Sequence, residues 1–119
     1  MLSELVDVEQ AGAVVTVRVR TPELAHDQMQ QLVVECLERM RCHHAYHFVF
    51  DLSQVTFLAS ACVGALVELL REVEPVRGRI VMVGCQESVA FMLQVTRLEQ
   101  VFPMFDDENE AIAALRHSG

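Results

Sequence analysis

Short apolar segments with a period of two alternate with longer segments whose apolar residues recur at the helical period. This alternation constrains the fold more than any other feature of the chain. Val15, Val17 and Val19 interleave with Thr16, Arg18 and Arg20, the pattern of a half-buried strand. The preceding segment, Leu5 to Gln10, runs into Ala11-Gly12 and reads as a strand turning back in a hairpin. Thr21-Pro22-Glu23 breaks the strand, because proline donates no ladder hydrogen bond. Met29, Leu32, Val33, Cys36, Leu37 and Met40 then fall on one face, predicting a helix from Ala25 to Met40.

Tyr46 to Leu52 is a dense run of aromatic and β-branched residues, as in a buried central strand. Asp51-Leu52-Ser53 closes it, and Val55-Thr56-Phe57-Leu58 leads onward. Ser60, Val63, Leu66, Val67, Leu70 and Val73 trace a second amphipathic helix, ended by Pro75 and Gly78. Arg79 to Gly84 is another short buried strand, and Ser88 opens a third helix carrying Val89, Met92, Leu93 and Leu98. Val101 to Phe105 reads as an edge strand, where Pro103 is tolerated. Asp106-Asp107-Glu108 supplies negative charge at the start of a last helix, whose apolar side is Ala111, Ile112 and Leu115. The order predicts an α/β fold: a mixed, mostly parallel sheet of four to five strands with right-handed crossovers and helices mainly on one face. No linker or repeat divides it, so residues 1–119 form one domain.

Composition narrows the function. Apolar residues make up 52% of the chain, enough for a real core. The net charge of −8 repels nucleic-acid phosphates and anionic lipid headgroups, so neither nucleic acid nor a membrane surface is an expected partner. No apolar run is long enough for membrane insertion, and Met1 to Leu5 lacks the features of an export signal. The expected location is the cytoplasm. Cys36, Cys42, Cys62 and Cys85 show no CxxC spacing and read as free thiols in a reducing compartment.

The chain offers little for catalysis. Its glycines are isolated, so no phosphate-binding loop can be drawn, and no serine sits in a nucleophile elbow. Cys42-His43-His44 and His47, with Cys36 upstream, are metal-ligating residue types. Cys36 and Cys42 are six residues apart, however, and a helix turns them to different faces. Neither a metal nor a cofactor is expected. Asp51 and the acidic run from Asp106 to Glu110 read as local and helix-start charge rather than an acid–base pair. The expectation is therefore a binding module and not an enzyme. Ser60 has two readings. As the last residue before an apolar helix it is a natural N-cap. A phosphorylated serine at that place would also be accommodated by the free N–H groups and helix dipole, while adding roughly two negative charges to the surface.

The segment Phe48-Val49-Phe50-Asp51-Leu52-Ser53-Gln54-Val55-Thr56-Phe57-Leu58-Ala59-Ser60-Ala61-Cys62-Val63-Gly64-Ala65-Leu66 resembles the centre of the STAS domain, the family typified by bacterial anti-sigma factor antagonists. Val95-Thr96-Arg97-Leu98, Val101-Phe102 and Asp107 to Ala111 resemble the family's closing segments. The resemblance implies a STAS-like fold and a regulatory partner switch. In it, the antagonist binds an anti-sigma factor or serine kinase of the histidine-kinase-like ATPase type, and phosphorylation of a serine reverses binding. Ser60 aligns with that phosphoacceptor. The implied partner-binding residues are Thr21, Glu23, Leu24, Ala59, Ser60, Ala61, Cys62 and Val63. The family's Asp before the serine is Ala59 here, its following Ser/Thr is Ala61 and its Gly is Cys62. The alternative reading is a scaffold or transporter-associated STAS subunit in which Ser60 is never modified.

Overall fold

The computed structural model describes residues 2–117. A helical turn, α1 (Leu2–Leu5), leads into β1 (Val6–Ala11) and β2 (Val14–Val19), joined at Gly12. Gly12 has φ +62°, a conformation that only glycine adopts without cost. There follow α2 (His26–His43), β3 (His47–Asp51), α3 (Ser60–Val73) and β4 (Arg79–Val83). The chain closes with α4 (Glu87–Val95), β5 (Met104–Phe105) and α5 (Glu108–His117). The five strands lie in the order β1-β2-β3-β4-β5. The β1–β2 pair is antiparallel, and every later pair is parallel.

Strand alternation divides the core. Val15, Val17, Phe48, Phe50, Ile80 and Met82 face one side, where α2, α3 and α4 cover them with Met29, Leu32, Leu66, Leu69, Val89 and Leu93. Val49, Val81 and Val83 face the other side, beneath Ala111 and Leu115 of α5. Three helices therefore share one face, as the alternation predicts, and α5 packs on the opposite one over β3, β4 and β5.

Three boundaries differ most from the sequence reading. The second helix runs past Met40 to His43 and stops where His44 takes a left-handed conformation, φ 55°. The fourth stops at Val95 because Arg97 is also left-handed, φ 61°, so Leu98 falls in a 3-10 turn, Leu98–Gln100. The last strand shrinks to Met104–Phe105, since Val101 and Phe102 donate back to the Leu98 carbonyl instead of joining the sheet. Phe102 is still fully buried, so the segment keeps its core role without being a strand.

At the amino end of α5 the sheet holds a charged cluster. Arg18 of β2 donates through Nε and Nη2 to the two carboxylate oxygens of Glu108, each at 2.8 Å. Its Nη1 reaches Asp7 at 3.1 Å and Glu9 at 2.8 Å on β1. Glu108, Glu9 and Asp7 hold the guanidinium charged well above its ordinary range, against the opposing effect of burial.

The connections fix where charge lies. Each of α2 to α5 starts beyond the carboxyl end of a parallel strand and runs back along the sheet. Glu23, Asp27, Asp51, Glu87, Asp106, Asp107 and Glu108 follow or end those strands. Every arginine except Arg18 and Arg20 lies toward the opposite end, from Arg39 in α2 to Arg116 in α5. The arrangement suits the helix dipoles, with acids at amino termini and arginines at carboxyl termini.

Candidate functional site

The site lies at the carboxyl end of β3. Beyond Asp51 the chain forms a turn in which the Ser53 N–H donates to Asp51 Oδ1 at 3.0 Å and the Val55 N–H to the Leu52 carbonyl at 3.0 Å. Burial opposes ionisation of Asp51. Hydrogen bonds from Ser53, with the Arg18 charge nearby, outweigh it and hold the carboxyl below its usual range. Gly84, φ +65°, closes β4 against this turn: a Cβ there would stand 3.0 Å from the Ser53 side chain. Leu52, Val55 and Leu58 are buried and pin the loop to the core, which leaves Thr56 and Phe57 in solvent.

Two neighbouring segments clamp the loop. On one side, the Thr56 and Phe57 N–H groups donate to the Pro22 carbonyl at 2.9 and 3.3 Å. On the other, Ser88 Oγ donates to the Thr56 carbonyl at 2.8 Å, and Gln86 Nε2 to the Ser53 carbonyl at 2.9 Å. The Thr21–Ala25 loop, the 52–59 loop and the start of α4 thus form one continuous surface. Within it, Thr21 Oγ1 donates to the Glu23 carbonyl at 3.3 Å.

Helix α3 begins at Ser60, and its cap position is Ala59, which makes no side-chain cap bond. The Ala59 carbonyl accepts from the Cys62 and Val63 N–H groups at 2.9 and 3.1 Å. The chain is therefore already helical at Ser60, and the serine is not the N-cap that the sequence reading makes it. Its side chain is exposed in the first turn. Glu23 and Ala61 are exposed beside it, while Thr21 and Ala59 are half-buried. Leu24, Cys62 and Val63 are buried at 3%, 0% and 7% exposure and cannot touch a partner in this conformation. Helical periodicity explains this: with Ser60 and Ala61 outward, the next two positions turn toward the sheet. Cys62 Sγ donates to the Leu24 carbonyl at 3.5 Å and ties the Thr21–Ala25 loop to α3. Burial, with the Glu23 carboxylate nearby, pushes its thiol up.

The other candidate chemistry does not assemble. Cys36 is buried and its thiol is pushed up to about 12, whereas Cys42 is exposed. Burial, then the Asp51 charge, pushes Cys85 up to about 11. His44 Nδ1 lies 3.1 Å from the Tyr46 hydroxyl. Among the described residues no group of three or more His, Cys, Asp or Glu is placed to hold a metal ion, and no helix is long and apolar enough to cross a membrane. The sequence reading gives Phe57, Ser88 and Gln86 no part in the site. The available signal for Phe57 is the three-residue spacing of Val55 and Leu58, which buries both and turns Thr56 and Phe57 outward.

A serine exposed at the first turn of the helix after the central strand, on a sheet of this order, is an arrangement that can be compared with known families. The STAS domain profile matches residues 6–111. The chain belongs to the STAS domain family. Among solved structures, the anti-sigma factor antagonist SpoIIAA in its unphosphorylated form is similar at a TM-score of 0.84 and 24% identity, over 94% of this chain and 96% of that one. The Bacillus cell fate determinant SpoIIAA in the phosphorylated form gives 0.75 and 22%, over 92% and 98%. A murine Solute Carrier 26 anion transporter, captured inward-facing, gives 0.72 and 16% over 92% of this chain, which corresponds to 18% of the transporter. At these identities the neighbours share the STAS fold, and this STAS chain matches both antagonists over nearly their whole length.

Proposed function

We propose that this STAS domain is a regulatory protein-binding module. It binds an anti-sigma factor or serine kinase of the histidine-kinase-like ATPase type, and Ser60 is the phosphoacceptor of the switch. One observation supports this reading above the others: Ser60 is exposed in the first turn of α3, next to exposed Glu23 and Ala61. Phosphoryl transfer would form a bond from Ser60 Oγ to the γ-phosphorus of the partner's ATP, with ADP leaving and the hydroxyl proton passing to a base of the kinase. The chain is then the substrate in that step and not the catalyst. Likeness in fold to an anti-sigma factor antagonist solved in both phosphorylation states supports the same reading. On it, the module works in the cytoplasm.

A second reading keeps the surface but not the modification. Ala59 stands where the family has Asp, so the carboxylate beside the phosphoacceptor is missing. A scaffold or transporter-associated subunit with an unmodified Ser60 needs no such group. The deciding experiment is affinity purification from source cells, followed by calorimetric titration of the recovered partner with wild type, Ser60→Thr and Ser60→Asp. The switch requires a kinase-type ATPase as partner, a phosphoryl group on Ser60 after incubation with ATP, and roughly tenfold or greater weakening by Ser60→Asp, about 1.4 kcal/mol. Equal affinities for all three, with unchanged melting curves, reject Ser60 as the switch.

A further inference from the structure

Two large apolar side chains and a valine stand in solvent on the loop before α3 and along α4, for no reason of folding. Phe57 is 55% exposed, Phe91 66% and Val95 64%. Phe91 and Val95 share the outer face of α4, and Phe57 lies on the loop bonded to its first turn, a strip in outline. Phe57 follows Thr56, whose carbonyl accepts the Ser88 hydroxyl at 2.8 Å. Phe91 and Val95 lie three and seven residues after Ser88 in α4, on the same helical stripe. The inward side of α4 is separately filled by Val89 and Leu93, so the outer stripe is not the helix's core contact. An open hollow of about 530 Å³ beside it is lined by Glu87, Ser88, Ala90, Phe91 and Gln94. Contiguous exposed apolar surface with a polar rim marks an interaction site.

We propose that Phe57, Phe91 and Val95 form a docking surface for a cationic amphipathic helix of a partner protein. Charge selects this occupant. Glu87 opens α4 at the rim and Glu23 lies across the 52–59 loop, so the end of the strip at Phe57 is acidic, while Arg97 follows Val95 at its other end. The chain as a whole carries −8. An anionic membrane is repelled by such a surface. A second copy would bring the same acidic rim against itself, around a patch of three side chains, much smaller than the area a stable dimer buries. A helix with an apolar stripe bordered by lysine or arginine satisfies both the strip and its rim. The surface adjoins Ser60 but does not depend on its modification.

The probe is a synthetic leucine–lysine amphipathic helix, compared with its leucine–glutamate twin. Binding is read by fluorescence anisotropy and by amide shifts of the labelled protein. The leucine–lysine helix should bind and shift amides at residues 56–57 and 87–95. Its affinity should fall roughly tenfold or more in the double variant Phe57→Ser, Phe91→Ser, and should fall again with added salt. Both replaced side chains are exposed, so melting curves should be unchanged and the loss of binding assignable to the surface. Ser60→Ala should leave peptide binding as it is, which separates this surface from the phosphoacceptor reading. Equal binding of the two peptides, binding indifferent to the double variant, or shifts centred elsewhere would overturn the proposal. So would concentration-dependent dimerisation, or sedimentation with phosphatidylserine vesicles, that Phe91→Ser abolishes; these assign the strip to self-association or to a membrane.

Discussion

Ala59 occupies the position where a single side chain can most easily change this molecule. The cap of α3 makes no side-chain bond, so the first-turn N–H groups find no acceptor on the Ala59 side chain. Asp, Asn, Ser and Thr at an N-cap each stabilise a helix relative to alanine by about 1 kcal/mol. Ala59→Asp should therefore raise the unfolding free energy by about that amount in urea titration. Ser60→Ala, at the first helical residue, should change it by only a few tenths. If instead Ser60→Ala costs about 1 kcal/mol and Ala59→Asp nothing, the serine hydroxyl is the cap after all. The comparison separates stability from switching, because a carboxylate at position 59 would be a helix cap by position.

At the scale of elements, α5 is held differently from the other helices. Its cap is made, with the Glu110 N–H donating to Asp107 Oδ1 at 2.8 Å, and Glu108 is clamped by Arg18 across 90 residues of chain. Below this, among the described residues of α5, only Ala111 and Leu115 are buried against the sheet, with Ile112 partly so. Arg18→Met removes the clamp and leaves Asp7, Glu9 and Glu108 facing one another. It should cost about 1–2 kcal/mol, since the pairs are charge-assisted but partly exposed. Amides of α5 should exchange with solvent markedly faster while those of α3 exchange as before; uniform acceleration would instead mean global destabilisation. This clamp also shows where sequence reading stops. The strands and the three helices on one face follow from periods of two and 3.6, because each apolar stripe must be buried. Arg18 appears at that level only as the polar side of a strand, since its partners on β1 and α5 are set by register and topology. The helix boundaries at His44 and Arg97 were equally hidden, because neither residue is a glycine to announce a left-handed turn. Within the candidate site, Ser60 and Glu23 were legible as surface, but Leu24, Cys62 and Val63 were not separable from it until the rotation of α3 was known.

For the whole molecule, acidification should be destabilising in a window that begins near neutrality. His47, at the amino end of β3, accepts the Arg79 N–H through Nδ1 at 3.2 Å. Burial, and then the Arg79 charge, pull its pKa below the ordinary 6.5. The unfolded chain therefore binds a proton at a pH where the folded one does not. The stability from neutral His47 is fully present above 6.5 and is lost as pH falls through the lower folded value. Urea midpoints should decline across that range and flatten in His47→Gln; an unaltered slope would assign the decline to other groups. Asp51 behaves alike at lower pH, its contribution present above the usual carboxylate range and lost as pH falls through its depressed value.

The strand order has a consequence for how the chain reaches this state. Each strand pairs with the strands adjacent to it in sequence, and none is inserted between two laid down earlier. A chain leaving the ribosome amino end first meets, for every new strand, an edge already formed, with the β1–β2 hairpin as the seed. No step has to wait for a distant partner or reopen a completed ladder, so the loop-closure entropy of each addition is limited to a single crossover. Growth by accretion of this kind adds strands at one edge while β1 stays at the other, and the growing edge ends on only two residues of β5.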